Sequence, residues 1–152
     1  MHHTIERAQL VPLDADAAFA FFADAFNLEA ITPPWLRFRI LTPRPIDMRE
    51  GALIDYRLSL HHVPCKWHTR IDQWIPGRRF IDRQLSGPFS LWEHTHTFES
   101  RPGGTLIRDV VAYRMPLGPL GEIARRILIG RDLERIFDYR RDAIERLLVR
   151  PA

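Results

Sequence analysis

Residues 87–99 alternate in character with a period of two, and this pattern constrains the fold more than any other part of the chain. In an extended strand every second side chain lies on the same face. One face of this segment therefore carries Trp92, His94, His96 and Phe98. A sheet face in contact with solvent does not need two bulky aromatic side chains beside two histidines, whereas the wall of a covered pocket does. The pattern predicts a strand that lines a pocket for a mostly apolar ligand.

The length and composition predict a single domain over residues 1–152. The chain has 152 residues, of which 45% are hydrophobic, enough for one core and too few for two. Its longest apolar runs are far shorter than the roughly 20 residues of a membrane-spanning helix, and the N-terminal residues lack the layout of a signal peptide. We therefore expect a cytoplasmic protein. The only cysteine, Cys65, cannot form an internal disulfide, and we expect it to be an inert strand or core residue.

The positive charge of the chain does not predict a nucleic-acid partner. The net charge is +3, but the 22 basic residues, of which only Lys66 is a lysine, are interspersed among 19 acidic ones. The densest basic pairs, Arg125-Arg126 and Arg140-Arg141, lie close to acidic residues in a predicted helix, without aromatic residues between them. Transient contact with an anionic membrane surface fits this charge better. We expect a monomer or a weak homodimer.

The order of the predicted elements indicates an α+β fold. Residues 2–11 form a first strand, Asp14 caps a helix that buries Phe19 and Phe22, and residues 27–32 add a second short helix before Pro33-Pro34. Six extended segments follow, each bounded by a turn signal: Leu36–Thr42, Ala52–His61, Lys66–Trp74, Arg79–Leu85, Phe89–Glu99 and Thr105–Met115. After Pro116, apolar residues recur at helical spacing through Arg150, which predicts one long C-terminal helix. Gly130 within it is interpreted either as a bend or as a place where a bulky side chain is excluded.

Such short connections make consecutive strands antiparallel neighbours, and long strands curve. A curved sheet of about seven strands that wraps around one helix leaves a gap wherever side chains do not fill it. We therefore expect a pocket between the sheet and the C-terminal helix.

This chain resembles the START-like, or SRPBCC, superfamily over nearly its whole length. The resemblance rests on Val63-Pro64 with Trp67, Thr69 and Ile71, on Trp74-Ile75-Pro76 with Phe80, Asp82 and Gln84, on Gly87-Pro88-Phe89 with the alternating strand, on residues 104–113, and on residues 116–121. It implies a helix-grip fold and a place near the polyketide cyclase/dehydrase and coenzyme Q-binding START-domain proteins. Because one fold hosts many activities, the resemblance does not decide between binding and catalysis.

Strand alternation and the resemblance together give a set of candidate pocket residues. We expect the ligand to contact Tyr56, Leu58, Trp67, Thr69, Asp82, Gln84, Trp92, His94, His96, Val111, Tyr113 and Ile127. Two histidines on one strand could also bind a metal, with His68 or Asp109 as a third ligand, but two ligands do not make a site. We therefore predict no metal and no cofactor. The turn at 115–121 is interpreted either as a gate or as a rigid helix start.

Three functions fit these residues. The first is binding of a hydrophobic or amphipathic small molecule, such as a quinone, lipid, isoprenoid or polyketide, without chemical change. The second, which the resemblance suggests, is a polyketide cyclase or dehydratase in which His94 or His96 transfers protons while Asp109 and Tyr113 orient or polarise a carbonyl. The third is a partner-binding or stress-response adaptor. The chain has no nucleophile motif or phosphate-binding glycine loop, which favours binding over catalysis.

Overall fold

Seven antiparallel strands form one curved sheet in the computed structural model, which describes residues 1–150. The strands are β1 (His3–Val11), β2 (Arg39–Ile40), β3 (Leu53–Leu60), β4 (Val63–Ile75), β5 (Arg79–Ser86), β6 (Leu91–Arg101) and β7 (Gly104–Arg114). Their spatial order is β1, β7, β6, β5, β4, β3, β2. Consecutive strands from β2 to β7 are therefore neighbours, as predicted, and β1 adds to the free side of β7.

Two short helices, α1 (Ala15–Ala23) and α2 (Asn27–Ala30), connect β1 to the rest of the sheet. Asp14 caps α1 as predicted, because its carboxylate accepts a hydrogen bond from the Ala17 amide at 2.7 Å. The C-terminal region contains α3 (Gly118–Ala124), a π-helical turn (Arg125–Ile129), α4 (Gly130–Ile144) and a second π-helical turn (Glu145–Val149). The backbone stays right-handed helical at each junction, so residues 118–149 form one continuous C-terminal helix.

The predicted strand at Leu36–Thr42 is wrong in most of its length. Residues Pro34–Leu36 form a 3₁₀ turn, which ends at Arg37 in a left-handed conformation with φ of 49°. Proline suits the first position of a helical turn because its missing N–H has no partner there in any case. Only Arg39–Ile40 pairs with β3. The two prolines therefore start a further turn after α2 rather than marking the end of the helical region.

The strand β4 begins at Val63, three residues earlier than predicted, and includes Pro64. Proline cannot donate a hydrogen bond to a neighbouring strand, so it normally occurs at sheet edges. Pro64 pairs with Ser59 of β3, whereas the pairing of β4 with β5 starts only at His68. This end of β4 therefore has a neighbour on one side only, and proline is tolerated there.

The core has two groups of buried side chains, one at each end of the sheet. In the first, Phe19 of α1 lies with its ring centroid 5.0 Å from Trp74, 5.8 Å from Phe80 and 5.2 Å from Phe98. The second group joins the sheet to α4 and includes Trp67, Phe89, Trp92, Leu133 and Phe137. The predicted helix-grip fold is confirmed. Among residues 1–150, no helix has the length and apolar character needed to cross a membrane.

Candidate functional site

A cavity of about 160 Å³ lies between the sheet and the C-terminal helix. Its lining is mostly apolar and comes from α2, the 3₁₀ turn, β3, β4, β6 and the helix: Leu28, Ile31, Leu36, Phe38, Tyr56, Leu58, Leu60, Trp67, Phe89, Trp92, Ile129, Leu133, Ile136 and Phe137. The polar part of the lining consists of Thr32, Asp82, His94, His96, Asp132 and Arg140. This combination of an apolar wall and a few polar groups is typical of small-molecule sites.

The alternating strand β6 places its aromatic and imidazole side chains on the inner face of the sheet. Trp92, His94, His96 and Phe98 are all buried, while the residues between them are more exposed. The Trp92 and Trp67 rings pack edge to face with centroids 5.1 Å apart, and the Trp92 and Phe89 ring centroids are 4.8 Å apart. The interlocked rings give the cavity a rigid aromatic wall.

Five ionisable side chains form a polar cluster at one end of the cavity: Asp82, His94, His96, Asp109 and Arg140. The Arg140 guanidinium donates two hydrogen bonds to the Asp109 carboxylate, at 3.1 and 3.3 Å. His94 Nε2 lies 3.0 Å from Asp109 Oδ1, and His96 Nε2 lies 2.7 Å from Asp82 Oδ2. His96 Nδ1 also lies 3.0 Å from Asp109 Oδ1, close enough for electrostatic attraction but without the geometry of a hydrogen bond. We call these five residues the polar cluster.

The carboxylates of the polar cluster are held in their charged form. Burial alone would raise the pKa of Asp109, but the Arg140 charge, the hydrogen bond with His94 and the close approach of His96 lower this pKa well below its usual range. Burial also opposes ionisation of Asp82, yet its hydrogen bond with His96 and the nearby histidine charges lower its pKa. Both carboxylates are therefore ionised at neutral pH.

The two histidines are shifted in opposite directions. Burial lowers the pKa of His94, the charge of His96 lowers it further, and the hydrogen bond to Asp109 only partly compensates. Burial also acts to lower the pKa of His96, but the Asp109 and Asp82 carboxylates on either side raise it above its usual value. The rings are stacked with centroids 3.8 Å apart, so a charge on one disfavours a charge on the other. The pair thus holds one proton more readily than two.

This charge state leaves a hydrogen-bond acceptor and a donor beside the cavity. Because Asp109 is ionised and can only accept, a neutral His94 donates its Nε2 proton to Asp109, and its Nδ1 atom is then an acceptor. Arg140 uses Nε and one terminal nitrogen for Asp109, which leaves its other terminal nitrogen as a donor. The site can therefore orient a hydroxyl or carbonyl group, or move a proton through His94.

Asp82, His94 and His96 could also supply three metal ligands, since their donor atoms lie within 4.8 Å of one another. Two imidazoles and a carboxylate suit several divalent transition metals. The donors are already bonded within the polar cluster, however, because His96 is paired with Asp82 and His94 with Asp109. His68, considered above as a third ligand, instead pairs with Asp55 at the outer face of the sheet.

A sequence profile described as polyketide cyclase / dehydrase and lipid transport matches residues 11–138, well over half of the chain. The chain belongs to this family. No curated protein has a sequence that matches it.

Solved structures show the same fold at low sequence identity. CV1439 from Chromobacterium violaceum is similar with a TM-score of 0.74 and 14% identity, covering 99% of both chains. The Zhui aromatase/cyclase from Streptomyces sp. R1128 has a TM-score of 0.68 and 15% identity, over 97% of this chain and 96% of the other. The protein Ara h 8.0201 has a TM-score of 0.67 and 16% identity, over 95% of this chain and 96% of the other. The sequence profile over residues 11–138 supports the START-like superfamily that the sequence suggested, and these structures show that the fold is the same.

Seven of the twelve ligand-contact residues predicted from the sequence line the cavity of this family member. They are Tyr56, Leu58, Trp67, Asp82, Trp92, His94 and His96. Burial strongly raises the pKa of Tyr56, and the charge of Asp82 adds to this, so its hydroxyl stays neutral.

The other five do not line the cavity. Thr69 and Val111 are fully buried beneath it, and Tyr113 packs against His3 with ring centroids 5.4 Å apart. Gln84 has a structural role, because its amide donates to the Phe89 carbonyl at 2.6 Å and holds the loop before β6. Ile127 is 72% exposed on the outer side of the C-terminal helix. Asp109, predicted as a catalytic residue, lies behind the two histidines and contacts the cavity only through them and Arg140.

Arg140 is the main site residue that the sequence interpretation missed. It occupies a position of the α4 face that is otherwise apolar, following Leu133 and Phe137 at helical spacing, and it is 8% exposed. A charged residue on a buried face needs a charged partner. That rule applied to residues 133, 137 and 140 would have indicated a buried carboxylate on the facing strand.

The cavity adjoins a surface depression at the turn between β3 and β4. The two share Leu36, Leu60, Asp132 and Ile136 as lining residues. His61 Nε2 in this turn lies 2.6 Å from Asp132 Oδ2 of α4, so a hydrogen bond links the turn to the helix beside the entrance. The turn at 115–121, considered above as a gate, lines a separate depression.

Proposed function

We propose that the protein binds a hydrophobic or amphipathic small molecule in the cavity and does not change it chemically. The observation that carries this proposal is the pairing of an almost wholly apolar wall with a polar cluster at one end. Apolar lining gives affinity through removal of ligand surface from water, and a few fixed polar groups give orientation. The lipid-transport part of the family description supports the same conclusion.

The size of the cavity restricts how such a ligand sits. A cavity of about 150 Å³ can hold a benzene-sized molecule. The 160 Å³ seen here therefore encloses about one ring, and a longer ligand extends through the adjoining depression beside Trp35 and His61. A ring with an oxygen substituent at the polar cluster and a tail toward the entrance fits this shape. Quinones and cyclic polyketide products have this character.

Binding is tested with a variant that fills the entrance. Ile136 is a half-buried residue that lines both the cavity and the depression, so Ile136→Trp should block access. Leu147→Trp is the matched control, because Leu147 is 43% exposed on the same helix and does not line the cavity. We expect the fluorescent probe N-phenyl-1-naphthylamine to bind wild type and the control alike, and Ile136→Trp at least tenfold more weakly. Equal binding to all three proteins would contradict the proposal.

Native mass spectrometry of protein purified from its own host then identifies the ligand. A copurifying quinone, lipid or polyketide would support the carrier function. An empty protein that still binds the probe would favour an enzyme that releases its product.

A polyketide cyclase is the second candidate, and the polar cluster is the observation that favours it. A neutral His94 could remove a proton from a carbon between two carbonyls, and the resulting carbanion could attack a ketone carbon of the same chain. Arg140 would stabilise the alkoxide, and His94 would return the proton before water is lost. Asp109 acts here as a positioning residue, and Tyr113, which lies outside the cavity, has no part.

This second function is tested with a poly-β-ketone thioester analogue. We expect a cyclase to form an aromatic product, and His94→Gln to lower the rate at least a hundredfold while probe binding changes less than threefold. Tight binding of the analogue without turnover by the wild type would exclude this function.

A further inference from the structure

The first part of the C-terminal helix has an exposed apolar surface that contributes nothing to the core. Within residues 118–129 the only buried residue is Gly121. By contrast, residues 130–144 bury Leu133, Phe137, Arg140, Ala143 and Ile144. Four large apolar side chains here are more than half exposed: Leu117, 78% exposed, Leu120, 70%, Ile123, 55%, and Ile127, 72%. Leu128 is 42% exposed. We call the first four residues the apolar stripe.

The stripe is continuous along one face of the helix. Positions 120, 123 and 127 are separated by three and four residues, the spacing of side chains that lie one above the other. Leu117 extends the stripe at the helix start, where its backbone is left-handed with φ of 66°. Single exposed apolar residues need no explanation, but a contiguous apolar face marks an interaction surface. None of the four residues lines the cavity, so this surface is separate from the candidate site.

The charges beside the stripe are positive. Between residues 114 and 131 the chain carries Arg114, Arg125, Arg126 and Arg131, and the only acidic residue is Glu122. Glu122 is already paired, with His3 at 2.9 Å and with Arg125 at 2.7 Å, and its side chain is 18% exposed. Arg126 Nε also lies 4.0 Å from Glu122, but its side chain is 70% exposed and is next to Ile127. The stripe is therefore bordered by an excess of positive charge, with no second carboxylate in the segment.

We propose that this surface docks onto an anionic lipid bilayer, with residues 117–129 lying parallel to the membrane plane. Helices that bind at a membrane interface have one apolar face, which enters the boundary between headgroups and acyl chains, and arginines that contact the phosphates. The apolar stripe supplies the first feature, and Arg126 with Arg131 supplies the second. A second copy of the chain fits less well, because two stripes face to face would bring arginines together with no free carboxylate in the segment to pair with them.

Docking and ligand binding are independent properties of the molecule, and the docking proposal does not rest on the proposed function. If both hold, the cavity entrance and the docking helix belong to one continuous helical segment, because Ile129 lines the cavity two residues after Ile127. A hydrophobic ligand could then be exchanged close to the membrane that holds it.

Cosedimentation with lipid vesicles tests the docking surface. The full chain is mixed with vesicles of neutral phosphatidylcholine, or with vesicles that contain about one-third phosphatidylglycerol. We expect binding to the anionic vesicles only, weakened by raising the salt concentration, because exposed charges are screened. Leu120→Glu should lower the affinity at least tenfold. Leu53→Glu makes the same change of charge at a residue of β3 that is 52% exposed, and it should bind within threefold of wild type.

Three outcomes would overturn the proposal. Failure of the wild type to bind anionic vesicles would exclude docking. An equal loss in Leu120→Glu and Leu53→Glu would show a general charge effect rather than a defined surface. Concentration-dependent dimers in the absence of lipid, lost in Leu120→Glu, would assign the stripe to a second copy. Each variant should keep the thermal unfolding midpoint of the wild type, since both positions are exposed.

Discussion

Replacement of Arg140 by methionine tests the buried charge pair at the polar end of the cavity. The Arg140 and Asp109 side chains are 10% and 7% exposed, and the two hydrogen bonds between them are 3.1 and 3.3 Å long. Methionine keeps most of the side-chain volume but leaves the Asp109 carboxylate buried without its cation. Breaking a buried ion pair by removing one partner costs about 3–5 kcal/mol.

We expect the free energy of unfolding to fall by about 3 kcal/mol, at the lower end of this range, because His94 and His96 still lie beside Asp109. With a urea dependence of about 2 kcal/mol/M, the unfolding midpoint should fall by about 1.5 M urea. The thermal midpoint should fall by about 6–12 °C for a chain of this size. Urea titration followed by circular dichroism at neutral pH measures the first of these changes.

Two further variants make the reasoning refutable. Arg141→Met removes the neighbouring arginine, whose side chain is 52% exposed, and should change stability by less than about 0.5 kcal/mol. The double variant Asp109→Asn with Arg140→Met removes both charges and should be more stable than Arg140→Met alone. A loss below about 1 kcal/mol in Arg140→Met, or a double variant that is less stable than the single one, would refute the assignment of a buried pair.

The pH dependence has a defined sign. The folded pKa of Asp109 is lower than its unfolded value, so its contribution to stability is present above the unfolded pKa of about 3.9 and is lost as pH falls through the folded pKa. In Arg140→Met the main cause of the lowered pKa is gone. The difference in stability between wild type and this variant should therefore shrink below about pH 4.

Three other predictions concern single residues. In an NMR titration the pKa of His94 should lie below the usual histidine value of about 6.5, and the pKa of His96 should lie above it. Because the folded pKa of His96 is raised, the stability that its charged form contributes is present at low pH and is lost as pH rises through the folded pKa. Asp14→Ala removes the cap of α1 and should cost about 1 kcal/mol in urea unfolding. Gly104→Ala should cost more than about 1 kcal/mol, because φ is +148° and the new Cβ would lie 1.9 Å from the Val11 carbonyl oxygen, whereas an unchanged stability would show that the turn relaxes.

The fold could be predicted from the sequence because its signals are local. The alternation in β6 and the turn residues between strands can be recognised from residues that are adjacent in the sequence. Strands β3 to β7 lie within a few residues of the positions that these signals predict. The segment Leu36–Thr42 shows where this reasoning ends. Leu36, Phe38 and Ile40 face inward from a 3₁₀ turn, a connecting residue and a two-residue strand. Every second side chain is therefore covered, as in a strand, although most of the segment is not a strand.

The candidate site could be predicted only in part. Strand alternation shows which face of the sheet a side chain lies on, but it does not show whether that side chain lines the cavity or lies in the core. Trp92 and Tyr113 both point to the inner face, yet Trp92 lines the cavity and Tyr113 lies in the core beneath its end. Helical periodicity places Ile127 in an apolar pattern, but its side chain faces away from the sheet and is 72% exposed, while Ile129 lines the cavity. Which face of a helix the sheet covers is a property of the tertiary structure.

The charge balance of the polar cluster, which no local pattern reveals, limits the ligand. Ionised Asp82 and Asp109 carry two negative charges, Arg140 carries a positive one, the raised pKa of His96 favours its charged form, and the lowered pKa of His94 favours its neutral form. With His96 protonated the cluster is neutral as a whole, and all of its side chains except the partly exposed Asp82 are buried. A charged ligand group placed against it would lose its hydration without gaining a counter-charge, which costs several kcal/mol. The group that meets His94 and Arg140 should therefore be an uncharged oxygen, such as a ketone, a quinone carbonyl or a phenol, rather than a carboxylate or an amine.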